Sequence, residues 1–156
     1  MESTRAFYAG ELPPKTSALL DEAMSLYGDT ERAESLLMQA HREDPDALPV
    51  YFSMYKFYFY KGRLQDAERA VRQALETAAR LGGFSPDFRD LRPETTNWTH
   101  HDGPAHFYLF SLKALSFIRL RQGDKAECEE LLGKLNELDK SDSVGGSVIG
   151  AFAAGV

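Results

Sequence analysis

At 156 residues, with 43% hydrophobic and 12% aromatic residues, the chain can build one core of ordinary size and is too apolar to remain disordered. Its net charge of −6 and the lack of a dense basic run argue against a nucleic-acid backbone as partner. One cysteine, Cys128, excludes an intramolecular disulfide, MESTRAFYAG lacks the apolar stretch of a secretory signal, and no run approaches the roughly 20 apolar residues of a membrane helix. The expectation is a single domain, 1–156, in the cytoplasm.

Six helices are expected in chain order. Pro13-Pro14 opens the first, over 14–27, where a missing amide costs little. The second runs over 30–43 and stops at Asp44-Pro45. The third and fourth, 46–61 and 64–81, are separated by Gly62, and Gly82-Gly83 ends the fourth. Residues 82–104, GGFSPDFRDLRPETTNWTHHDGP, hold three prolines and read as a loop with room for one short turn at PDFRDLR. Helices over 105–121 and 124–139 follow, and the uncharged tail SVGGSVIGAFAAGV closes the chain.

Three stretches align on a glycine: GDTERAESLLMQA from Gly28, GRLQDAERAVRQA from Gly62 and GDKAECEELLGKL from Gly123. A small residue recurs five places on, as Ala33, Ala67 and Cys128, and an apolar one nine places on, as Leu37, Val71 and Leu132. The first two glycines are 34 residues apart. Small residues at fixed places let antiparallel helices approach closely, and a glycine lets the backbone leave the first helix through a left-handed conformation. Each hairpin exposes an apolar face that only the next can cover, so an all-α stack of antiparallel hairpins is expected: units 14–45, 46–81 and 105–139.

These residues resemble the tetratricopeptide repeat family, whose pattern runs W-x2-L-G-x2-Y, then A-x3-F, then P. Unit two supplies Tyr51, Met54, Tyr55, Tyr58, Ala67, Val71 and Ala74; unit one supplies Leu20, Met24, Ala33, Leu37, Ala40 and Pro45, with Ser17 and Asp21 departing from the pattern. Unit three supplies Leu112, Leu115, Ser116, Cys128 and Leu132, with Arg119 where an aromatic belongs. Its register is open: one extra residue before Gly123 would put Ile118 on the core in place of Arg119. The resemblance implies about three repeats in a right-handed superhelix, and a role in binding other proteins.

The insertion 82–104 lengthens the last repeat spacing by 27 residues, and insertions in stacked repeats tend to emerge on one face, often the binding face. Trp98 is expected to anchor it by tucking onto the body. His100, His101, Asp102 and His106 are metal-ligand types, but adjacent histidines in an extended loop point apart, so capping and loop hydrogen bonds are the expected roles. No phosphate loop, HExxH helix or G-x-S-x-G elbow occurs, and Cys128 sits where the repeat wants a small buried side chain. No enzymatic activity, cofactor or metal is called for.

YFSMYKFYFYKG, residues 51–62, is aromatic almost all the way round. At 100° per residue Tyr51, Met54, Tyr55 and Tyr58 share one stripe, the set buried between hairpins. Phe52, Lys56, Phe59 and Tyr60 lie off it, and Phe110, Lys113, Phe117 and Arg121 are their counterparts in unit three. In the family such positions face a concave inner surface. Family members that clamp acidic chain ends use asparagines there, which this chain lacks in the first helix of every unit. The expected ligand is therefore an apolar or amphipathic protein segment, anchored by rings and oriented by Lys56 and Lys113, in an adaptor or chaperone. The alternatives are a homo-oligomer built through the aromatic surface or tail, and a metal-binding protein using the insertion histidines. The tail is expected to be buried, in its own groove, in a neighbouring subunit, or as a cap on the last hairpin.

Overall fold

The computed structural model describes residues 12–155, and among these every regular element is helical. The expectation drawn from MESTRAFYAG lies outside the described residues. The helices are α1 (Pro14–Ser25), α2 (Thr30–Glu43), α3 (Leu48–Tyr60), α4 (Leu64–Gly82), α5 (Pro104–Arg121), α6 (Lys125–Leu138) and α7 (Gly146–Ala154), with a 3-10 turn at Phe88–Asp90. Prolines stand in the first turn of α1, α3 and α5, where no amide is needed. The carboxylates of Asp29 and Asp124 cap α2 and α6 by accepting from the amides of Arg32 and Glu127. Gly62 and Gly123 take φ of +77° and +91°, as a left-handed exit requires. Gly28 does not take a positive φ, and its turn closes instead through the Asp29 amide on the Leu26 carbonyl at 2.8 Å.

Three antiparallel hairpins, α1/α2, α3/α4 and α5/α6, stack through α2 on α3 and α4 on α5. The repeated small positions Ala33, Ala67 and Cys128 are each fully buried, and Leu37, Val71 and Leu132 lie beside them in the core. Turn geometry fixes the register of unit three. The Arg63 amide bonds the Tyr58 carbonyl and the Asp124 amide bonds the Arg119 carbonyl, both at 2.9 Å, so Arg119 is the counterpart of Tyr58 and no residue is inserted. Buried Ile118 then corresponds to buried Phe57.

Arg119 keeps that place because it answers an acid. Between the first two hairpins, Tyr58 donates to Glu34 Oε2 at 2.7 Å and Arg63 grips both Glu34 oxygens at 3.0 and 2.9 Å. Between the second and third, Glu68 is the counterpart of Glu34, and Arg119 lies 3.5 Å from it, 2.7 Å from Asp124 and 3.3 Å from Glu127. The carboxylate is shared by both junctions, while the donors change.

The insertion lies against α6 and the N-terminal part of α5. Trp98 is buried, donates from Nε1 to the Arg92 carbonyl at 2.9 Å and packs on Phe84 at 5.2 Å, as an anchoring role requires. The Tyr108 hydroxyl donates to the Pro86 carbonyl at 2.8 Å, and Lys134 Nζ to the Leu91 carbonyl at 2.7 Å. The tail, expected only to be buried, forms α7. Asp139 accepts from the amides of Ser143 and Val144, both at 3.0 Å, and turns the chain back. A Cβ on Gly146 would meet Leu135 Cδ2 at 2.7 Å, so any other residue there would force the Leu135 side chain to shift. Among the described residues no helix is long and apolar enough to cross a membrane.

Candidate functional site

Both α3 and α5 pack on α4, and they meet each other chiefly through rings. Phe52 faces Phe110 at 6.2 Å and Phe107 at 6.0 Å between centroids, and Phe59 faces Phe117 at 5.4 Å. Edge-on and tilted pairings at such separations are favourable beyond their area, by about 0.5–1.5 kcal/mol each. Between the two rows lies a groove of about 210 Å³, lined by Phe52, Tyr55, Phe110, Lys113, Ala114, Phe117 and Ile149.

The structure thus brings Phe52, Phe59, Phe110, Phe117 and Lys113 together along one groove. Lys56 Nζ stands 5.0 Å over the Phe52 ring, and the Arg121 guanidinium stands 5.5 and 5.9 Å from the Phe59 and Phe117 rings. Tyr60 is at the rim, edge-on to Phe59 and 64% exposed.

Two placements differ from expectation. Tyr55 is not in the core stripe: it lies on the groove, 5.6 Å from Phe52 and 6.0 Å from Phe59, and burial pushes its hydroxyl pKa up to about 12. Phe57 is buried in its stead, edge-on to Tyr27 at 5.9 Å in the turn of unit one. The insertion, of a kind that often emerges on the binding face, covers α6 here, and only its final residues come near the groove. There His101 meets His106 at 4.9 Å, and His106 meets Phe110 at 5.1 Å.

The tail closes one end of the groove. It caps the last hairpin by packing on α5 and α6, with Ile149 in the groove lining and Phe152 tilted against Phe117 at 5.8 Å. Neither residue was singled out in the sequence, because a glycine-rich segment carries no helical signal of its own.

His106 is buried and its Nδ1 finds no hydrogen-bond partner among the described residues. Burial, and then the neighbouring His101, hold its pKa below the usual histidine value, so it is neutral at pH 7. Among the described residues no group of three or more histidine, cysteine, aspartate or glutamate side chains gathers to hold a metal, and this includes His100, His101, Asp102 and His106. Cys128 is buried and its thiol pKa is raised by that burial, as for a packing residue.

No family model matches the chain, and no solved structure matches it significantly. A curated protein of Azotobacter chroococcum mcd 1, described as an uncharacterized 19.8 kDa protein in the nifW 5′ region, is 26% identical over 160 residues. The alignment covers 95% of this chain and 83% of that protein.

Proposed function

We propose that the chain is a non-enzymatic protein-interaction module of tetratricopeptide-like repeats, an adaptor or chaperone whose α3–α5 groove takes an apolar or amphipathic segment of a partner protein. The observation that carries this reading is the groove's composition: two rows of rings about 5–6 Å apart, with cations at their edges and a large exposed ring at the rim. Rings that serve only stability are drawn into the core, whereas a rim ring 64% exposed beside a lined groove is the arrangement of a hot spot. The test is an affinity pull-down from the native host's lysate, comparing wild type with a folded Phe59→Glu, Phe117→Glu variant. Enrichment of one protein by wild type and its loss in the variant support the reading. Equal recovery from both overturns it.

One observation favours a second reading. On α7, Val148 and Phe152 are each more than half exposed and the helix has no charge, so this face could join two copies of the chain. Sedimentation of wild type and Phe152→Glu would reveal a dimer that the substitution dissolves.

A further inference from the structure

Among the described residues most arginines meet an acid of this same chain. Arg63 lies 2.9 Å from both Glu34 and Asp66, Arg72 lies 2.8 Å from Glu68 and 2.7 Å from Glu127, and Arg89 lies 2.9 Å from Glu130. Arg121, the last residue of α5, shares with Arg42 and Arg92 the lack of an acid partner among the described residues, but of these three it alone lies over rings. It is exposed, and among the described residues it has no carboxylate within 4.0 Å; its guanidinium rests instead on the Phe59 and Phe117 rings. Against the two rings beneath it stand exposed aromatic side chains, Tyr60 at 64% on Phe59 and Phe152 at 54% on Phe117. The adjoining helix α7 has no charged residue, and Asp142 in the α6–α7 turn is engaged with Ser147 and in the field of Lys113. A chain of net charge −6 thus places a cation without an acid at the centre of an aromatic patch.

Resting on the groove reading above, we propose that this end of the groove binds an acidic, aromatic-containing peptide segment, with a carboxylate of the segment on Arg121 and its ring among Tyr60, Phe117 and Phe152. The chemistry follows from what each part offers. A guanidinium lying over two rings has already lost much of its rotamer freedom, and its free N–H edge suits a carboxylate fork. The surrounding rings exclude water from that pair, which raises its worth above that of an ordinary exposed ion pair. A neutral apolar segment would cover the rings but strip water from Arg121 without replacing it, so the acid is the element of selection.

The test pans a displayed library of random 12-residue peptides on the full chain, on Arg121→Glu and on Phe117→Glu, each first shown to be folded by circular dichroism and melting. Wild type is expected to enrich peptides with Asp or Glu within a turn of Phe, Trp or Leu. A synthetic fluorescein-labelled copy of the best one should bind at least tenfold more weakly to Arg121→Gln and lose affinity as salt rises. Arg121→Glu should enrich Lys or Arg in place of the acids, an inversion that a merely structural arginine would not give. Enrichment of neutral apolar peptides by wild type, lost in Phe117→Glu, would keep the groove and overturn the acidic preference. No enrichment on any of the three overturns both. The proposal also falls if a dimer that Phe152→Glu dissolves occupies the patch, or if a synthetic peptide of residues 1–12 displaces every selected sequence, since the natural occupant would then be this chain.

Discussion

Replacing Arg119 by leucine tests whether the junction between the second and third hairpins depends on its carboxylates. The guanidinium is 21% exposed and gives up a 2.7 Å contact with Asp124, a 2.7 Å bond to Gln122, and longer contacts with Glu127 and Glu68. One well-made charge-assisted bond at this degree of burial contributes about 1.5–3 kcal/mol, and the carboxylates left behind are partly rescued because Arg72 still holds Glu68 and Glu127. The expected loss is about 2 kcal/mol, which at a urea dependence of about 2 kcal/mol per molar lowers the unfolding midpoint by about 1 M. The pH dependence supplies a second readout. Burial pushes the Glu68 pKa up, but hydrogen bonds from Arg72 and Gln122 outweigh it; Asp124 is held low first by the Glu127 amide and then by Arg119. Groups with depressed folded pKa values contribute stability above their unfolded values, 4.5 for glutamate and 3.8 for aspartate, and lose it as pH falls through the folded value. The difference between wild type and Arg119→Leu should therefore be full at pH 7 and shrink below about pH 4. Arg119→Tyr, which copies the Tyr58–Glu34 solution of the first junction, should recover part of it. A loss under about 0.5 kcal/mol, or one that does not change with pH, would refute the argument.

Trp98→Ala should cost about 3 kcal/mol and make residues 82–104 the first site of limited proteolysis, because the indole is the insertion's main buried anchor. Gly146→Ala should destabilise by about 1–3 kcal/mol, since Leu135 is itself buried and has little room to move; amide exchange should quicken in Gly146–Ala154 before it does in α1 to α6. For His106 the folded pKa lies below the unfolded one, so the unfolded chain binds the extra proton and stability falls as pH drops below about 6.5. His106→Phe should flatten that part of the stability profile, and the His106 ring should titrate by NMR below the ordinary histidine range.

The hairpins were legible because their determinants are local. Proline at a helix start or stop and glycine between helices act within a few residues, and the helix bounds agree with expectation to within two residues. Tyr55 was misplaced because it lies at the edge of the apolar stripe, where an angular count cannot tell a core position from a groove position. Arg119 left the register open for another reason. A family pattern asks for an apolar ring there, but the fold asks for any group that satisfies Glu68, and Glu68 lies 51 positions earlier in the chain. The helical state of α7 and the side chosen by the insertion also depend on pairings beyond the local window, Gly146 on Leu135 and Lys134 on the Leu91 carbonyl 43 positions away. The rings and cations of the groove were individually visible in the sequence, but the part of Ile149 and Phe152 in closing it was not.

The two sides of the stack differ in how completely they are satisfied, and that difference bears on function. On the side of α4 and α6, charges meet charges of this same chain: Arg72 joins Glu68 to Glu127, and Arg89 closes on Glu130. Such a surface has little left to offer a partner, since any new contact must displace one already made. On the side of α3 and α5, attraction is short-ranged and incomplete. Rings stack on rings, Arg121 lies on rings, and Tyr60 and Phe152 end the row with more than half their surface in water. If stability alone were at issue, replacing Tyr60 and Phe152 by polar residues should be nearly neutral or slightly favourable, because exposed rings contribute little to the core. A pair such as Tyr60→Ser and Phe152→Ser that leaves the unfolding midpoint unchanged but abolishes partner capture would separate the two roles on this face, whereas a pair that unfolds the chain would make these rings part of the scaffold.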